Sequence, residues 1–424
     1  MSDPSIPRAD PTPRPSFHPK PQSPTGLVLS GGGARGAYEA GVLKGIVEVL
    51  DLGPDDRAPF QIFSGTSVGA INAIWAAAHA HRGDLNVDGL LEQWRRLSLD
   101  THLRLDLPGL FGLRARWAAV ADRIGLEPSL GDRWGRSVVD GRPLERIVTG
   151  AIPWQRLHDN VQRGLVSAAV VAALQIRSGR TTMFADLAPG ARFRPSRDPR
   201  RTATIGPLSS HHVLASAAIP FLFPARRVEG DYYCDGSLRF STPIAPALRC
   251  GAERIMVVSL LHGSTPAVET DHLERKRIEA FPHLRYLAGK LINALLLDSV
   301  DYDLHVLERF NKLLDTLEDT LDPDELARVQ RTLEESRGVS YRYVDTLTFR
   351  PGEDIGRVAA DMARSSGRRS PSAWALTRLL QSGAFEDDLL SFLFFDGAFA
   401  EHLMALGRRD AAARSDEIRT FFRP

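Results

Sequence analysis

"LVLSGGGARGAYEAGVL" spans residues 27–43 and holds a complete Gly-x-Gly-x-x-Gly in Gly31, Gly33 and Gly36. An apolar run precedes the glycines and a helical rhythm follows them. "GLVLS" (26–30) reads as a short buried strand, and Ala37 to Leu50 as a helix with Val42, Leu43, Ile46, Val47 and Leu50 at its apolar positions. The same order returns at once: "FQIFS" (60–64) is a strand and "VGAINAIWAAAHAH" a helix of small residues, with a tight turn between them. Strand, turn and helix, twice over, predict a parallel α/β sheet.

A glycine loop that opens a helix offers backbone N–H groups to an anion. If that anion were a dinucleotide pyrophosphate, an acidic residue would close the second strand about 20 positions on. Asp51 has the spacing but ends the predicted helix, whereas the second strand ends in Ser64. The cofactor reading therefore fails on position.

The second turn, Gly65-Thr66-Ser67-Val68-Gly69, is a Gly-x-Ser-x-Gly between a strand and a helix. A nucleophile needs this geometry because the sharp turn projects the hydroxyl and the glycines remove Cβ clashes. The simpler reading is a helix-capping serine in a glycine-rich turn. A serine also needs a base. Asp235 opens "DGSL" after the strand candidate "DYYCD", where it is either a rigidly held carboxylate or an ordinary Asp-Gly turn. Ser67, Asp235 and His262 also follow the Ser, acid, His order of elbow hydrolases, although His262 reads equally as a loop residue.

Taken together, "SGGGARGAYEAGVL", "GTSVGAINA", "LASAAIPFLFPARR", "DGSL" and "STPIAPAL" resemble the patatin-like phospholipase family over about residues 25–262. The resemblance implies a three-layer α/β/α fold and a Ser–Asp dyad: Ser67 attacks an ester carbonyl, and Asp235 is the general base. It implies that Gly32 and Gly33 donate N–H groups to the oxyanion, where glycine admits close approach of the carbonyl. Gly31, Gly36, Gly65, Gly69 and Gly236 are matching motif glycines. Arg35 matches the family's loop arginine, either bracing the loop or holding a phosphate headgroup. Ser237 departs from the glycine or alanine usual after Asp-Gly. "FLFFDGAFAEHLMALGRRDA" resembles the tail of bacterial members and implies no chemistry. The implied activity is hydrolysis of lipid acyl esters, of the phospholipase A or lysophospholipase kind. A Ser67–Asp235–His262 triad esterase and a non-catalytic lipid-binding protein are the alternatives, and the second has no need of all the motifs.

The 424 residues carry a formal net charge of +1, which gives no reason to expect a nucleic-acid partner. Two cysteines cannot build a disulfide framework or a metal cluster and suit a reducing compartment, so a cytoplasmic protein without metal or cofactor is expected. Twelve histidines are scattered; His211–His212 are read as helix-capping residues. No run of about 18 apolar residues occurs, so membrane contact is expected to be peripheral.

Residues 1–24 hold eight prolines and read as a disordered tail. Further strands are expected at 164–176, 181–187, 231–235 and 254–261, with an insertion or cap over about 85–140. The basic run 191–201 is expected to be a solvated loop that could touch anionic headgroups together with Phe111 and Trp117 of the cap. Residues 263–424 are expected to be mainly helical, with one possible returning strand at 340–351.

Overall fold

The computed structural model describes residues 17–18, 23–98, 142–220, 223–240, 242–262, 300–337, 342–366 and 387–423. Most of the expected cap, including Phe111 and Trp117, lies outside these.

The opening stretch folds as strand β1 (Thr25–Leu29), a short 3-10 turn at Gly33–Arg35, and helix α1 (Gly36–Val49). Strand β2 (Ile62–Thr66) and helix α2 (Val68–Ala78) repeat the unit. β2 runs two residues beyond the expected "FQIFS" because Gly65 and Thr66 still pair with β3 (Ala168–Gln175), at Val171 and Ala172. Helix α3 (Val87–Arg96) follows α2, and α4 (Arg142–Ala151) and α5 (Trp154–Gln162) lead into β3.

Nine strands form one mixed sheet among the described residues. β1 is parallel to β2, and β2 to β3, while β4 (Thr181–Leu187) turns antiparallel to β3. β5 (Arg201–Ile205) adds to β4 in parallel. Arg201 therefore belongs to an edge strand rather than to the solvated loop expected for 191–201, and its guanidinium lies 4.7 Å from the centre of the Phe240 ring. Helix α6 (Ser210–Ser216) precedes two short strands, β6 (Arg226–Val228) and β7 (Asp231–Asp235). β7 pairs with β6 and with the far end of β3. Helix α7 (Ile244–Arg249) leads to β8 (Arg254–Val258), which lies parallel to β1 on its other side.

Every residue of β1, β2 and β8 is buried, as a parallel sheet covered on both faces requires. Alternation divides each strand between two cores. Leu27, Leu29 and Phe63 face one helical layer, and Val28, Ile62 and Val257 face the other. The architecture is thus α/β/α.

The C-terminal half is mostly helical: α8 (Val300–Thr320), α9 (Pro323–Arg337), α10 (Ile355–Ser366), α11 (Asp387–Leu393), α12 (Gly397–Ala413) and α13 (Ser415–Phe422). One strand within it, β9 (Asp345–Phe349), lies in parallel register beside β8. α12 packs on α1 through small residues. A Cβ on Gly407 would sit 2.3 Å from the Tyr38 carbonyl oxygen, and one on Gly41 would sit 2.1 Å from that of Met404. The described residues of the proline-rich N-terminus contact the fold: the Ser23 hydroxyl donates to Glu253, and His18 lies beside Asp315 and Glu318. The Phe17 ring is buried against Leu314 and Leu326, because one aromatic side chain buries enough apolar area to hold a short segment.

Candidate active site

Parallel pairing brings the two glycine turns together. Leu29 is opposite Gly65, so the loops after β1 and β2 leave the same carboxyl edge of the sheet, where open α/β sheets form their sites. Asp235 reaches that edge from the other direction. Thr66 pairs with Ala172 of β3, and the next residue, Ala173, pairs with Asp235. Ser67 and Asp235, 168 positions apart in sequence, thus become neighbours across one strand.

Ser67 occupies φ 56°, ψ −128°, a backbone state that costs a non-glycine residue on the order of 1–3 kcal/mol. The turn is forced by packing. A Cβ on Gly65 would lie 2.3 Å from the Gly69 carbonyl oxygen, and one on Gly69 would lie 2.4 Å from that of Leu29. The Ser67 N–H donates to Ser216 Oγ at 2.8 Å, and that hydroxyl donates to the Ala172 carbonyl at 2.6 Å. Ser216, the serine of "LASAAIPFLFPARR", thereby ties the strained turn to β3. Ser67 Oγ donates to Asp235 Oδ2 at 2.6 Å, so Ser67 does not act as the helix cap of the simpler reading.

Asp235 is fully buried. Its other oxygen, Oδ1, accepts the Ser237 backbone N–H at 2.8 Å. Burial pushes its pKa up to about 6, while hydrogen bonding from Ser67 and the proximity of the Ser237 N–H and hydroxyl favour the charged form and oppose that rise. Gly236 is confined next to it: a Cβ there would lie 2.4 Å from the Ala172 carbonyl oxygen. The carboxylate is thus bonded to the serine directly, with no imidazole between them. His262 is exposed, and its Nδ1 lies 2.8 Å from the Pro351 carbonyl oxygen.

Across from the dyad runs the first glycine loop. Gly31 packs on both Ser67 and Ser237, and Gly32 on Leu260. Gly33 has φ +58°, and a Cβ there would fall 2.2 Å from the Phe392 carbonyl oxygen, so only glycine fits. Among the described residues, the N–H groups of Gly32 and Gly33 have no acceptor. Gly36 opens α1 against Val68, and its carbonyl accepts Asn72 Nδ2 at 3.0 Å.

Arg35 faces inward, 3% exposed. Its Nε donates to Ser391 Oγ at 2.6 Å, and its guanidinium lies 4.6 Å from the centre of the Phe392 ring. Of the two roles open from sequence, bracing matches this burial; a headgroup ligand would need an accessible guanidinium. The brace comes from α11: Ser391 immediately precedes, and Phe392 opens, the stretch that implied no chemistry.

An apolar cavity of about 70 Å³ opens beside Ser67 and Gly33. Trp75, Leu90, Trp94, Val148, Phe392 and Phe395 are among its walls. Sequence reasoning did not single out these residues for binding, nor the polar group behind them. Asn72 Nδ2 donates to Glu39 Oε2 at 2.8 Å, and Trp94 Nε1 donates to Asn72 Oδ1 at 3.1 Å. Glu39 is fully buried, which raises its pKa well above the usual carboxylate range. His212 is the capping residue foreseen in the His pair: its Nδ1 accepts the Ser209 N–H at 3.0 Å, and burial lowers its pKa to about 4. Asp51, the dinucleotide candidate, lies in the turn after α1, away from any strand end.

Comparison with known proteins matches residues 27–248, just over half of the chain, to the model of the patatin-like phospholipase family. The chain belongs to the patatin-like phospholipase family. Among solved structures, a match is the crystal structure of VipD from Legionella pneumophila, at 14% identity and a TM-score of 0.29, covering 68% of this chain and 61% of that one. The chain thus spans less than two thirds of that protein. No curated protein matches significantly.

Proposed function

We propose that this patatin-like protein is a serine lipid acyl hydrolase of the phospholipase A or lysophospholipase kind, working through a Ser67–Asp235 dyad. The observation that carries the reading is the 2.6 Å hydrogen bond from Ser67 Oγ to the buried Asp235 Oδ2. Asp235 takes the hydroxyl proton as Oγ attacks the ester carbonyl carbon. Negative charge on the former carbonyl oxygen is met by the Gly32 and Gly33 N–H groups. Collapse breaks the ester C–O bond, and Asp235 returns the proton to the departing alcohol. Water then attacks the acyl carbon and gives a proton to Asp235, which returns it to Ser67 Oγ as the acyl–Oγ bond breaks and the acid departs. The apolar cavity beside Ser67 receives the acyl chain, and the lipid is reached by peripheral contact with a membrane surface.

Fluorophosphonate labelling tests the assignment. Wild type is expected to label, and Ser67→Ala is not; equal labelling of both would refute the nucleophile. Asp235→Asn is expected to label at least 100-fold more slowly, within the span of general-base contributions. His262→Ala is expected to keep wild-type ester hydrolysis, which separates the dyad from a triad.

A further inference from the structure

Ser237 stands inside the site with an unused hydroxyl. The residue is 3% exposed, and its Oγ has no hydrogen-bond partner among the described residues. Its position is nonetheless closely defined. A Cβ on Gly31 would fall 2.0 Å from Ser237 Oγ and 3.1 Å from Ser67 Cβ, so the hydroxyl lies against the glycine loop on the serine's side. Its own backbone N–H holds Asp235 Oδ1. The hydroxyl is also near enough to the Asp235 carboxylate to favour its charged form, without closing a well-formed hydrogen bond to it. A buried hydroxyl without a partner is destabilising. Alanine here would keep the backbone bond to Asp235 and avoid that cost.

We propose that the Ser237 hydroxyl holds the hydrolytic water during deacylation, an inference that rests on the Ser67–Asp235 reading above. In the free enzyme Asp235 Oδ2 is engaged by Ser67 Oγ–H. Acylation replaces that hydrogen with the acyl carbon, and Oδ2 loses its donor. A water placed there donates one O–H to Oδ2 and the other to Ser237 Oγ. An oxygen lone pair then faces the acyl carbon. As the water's oxygen bonds to that carbon, its proton passes to Oδ2. The tetrahedral species collapses by breaking the bond to Ser67 Oγ, Asp235 returns the proton to Oγ, and the carboxylic acid departs. Ser237 exchanges no proton; it orients the nucleophile, an effect of the positioning kind. Acylation, whose nucleophile is Ser67 itself, does not need it.

Ser237→Ala and Ser237→Gly separate the two half-reactions. With p-nitrophenyl butyrate, the pre-steady-state burst rate should stay within twofold of wild type, while single-turnover deacylation slows about tenfold. Methanol supplies a second readout. It carries a single O–H, which Asp235 takes, so it has no use for Ser237. The ratio of methyl butyrate to butyric acid at fixed methanol should therefore rise about tenfold in both variants. An unchanged ratio, or acylation and deacylation slowed together, would overturn the proposal, since a hydroxyl that only tunes Asp235 or supports the fold affects both steps. Failure of the dyad reading is distinguishable: Ser67→Ala or Asp235→Asn would then show the wild-type burst, or His262→Ala would lose it.

Discussion

Asp235 places the stability and the activity of this protein in opposition. Its pKa is raised from 3.8 to about 6 by burial. Between those values the folded state binds a proton that the unfolded state has released. Stability from this group is therefore complete below about pH 4 and is lost as pH rises through 6, on the order of 3 kcal/mol in all. In the proposed dyad, activity runs the other way, because only the ionised carboxylate accepts the Ser67 proton. The kcat/KM profile is expected to climb with an apparent pKa near 6. Asp235→Asn is expected to be inactive yet more stable than wild type at pH 8 by about 1–3 kcal/mol, read from urea melts; equal or lower stability would contradict the desolvation account. At this scale, Ser67, Asp235 and the glycines were readable because each motif is contiguous. Ser237 was legible only as a departure from pattern, since nothing in "DGSL" shows that its hydroxyl is buried without a partner. His262 was a candidate by chain order alone, and in the fold its Nδ1 lies beside the Pro351 carbonyl oxygen while the Asp235 carboxylate accepts from Ser67 directly.

Among the elements, the pairings α1 with α12 and the glycine loop with α11 matter most. Ser391→Ala removes the acceptor of Arg35 Nε. A buried charged donor left without that acceptor costs about 1–3 kcal/mol, and the loop carrying Gly32 and Gly33 should loosen. The expected signature is a fall in kcat with KM little changed, because the proposed oxyanion contacts act in the transition state. Gly407→Val would push a side chain onto the Tyr38 carbonyl and should lower stability by about 3 kcal/mol without touching the cavity. Val148→Phe should instead fill the cavity, sparing acetyl esters while reducing octanoyl ester hydrolysis at least tenfold, measured as kcat/KM ratios. Periodicity had indicated α1, α2 and the buried strands. It passed over β5 and β6, which are short edge elements without an apolar alternation to reveal them.

For the molecule as a whole, the sheet outruns the family match. β8 pairs with β1 only after residue 248, and β9 follows at Asp345–Phe349. α11 to α13 then close over the first glycine helix and its loop. A fragment of residues 25–262 keeps every motif but leaves β8 as a bare edge and exposes α1 where α12 covers it. Such a fragment is expected to be insoluble or unlabelled by fluorophosphonate, whereas the full chain labels. Among the described residues no helix is long and apolar enough to cross a membrane.

Local chemistry was written in the chain itself: two strand–glycine–helix units, a serine in a tight turn, an aspartate at a strand end, and the order that marks the family. These are short-range patterns, dictated by backbone sterics and by the need to bury a parallel sheet on both faces. Folding in three dimensions settled the relations that span long separations. Asp235 meets Ser67 through one strand of pairing, Arg35 turns inward to Ser391, and Ser237 Oγ is enclosed beside both. Each depends on register and close packing between distant segments, which no periodicity encodes.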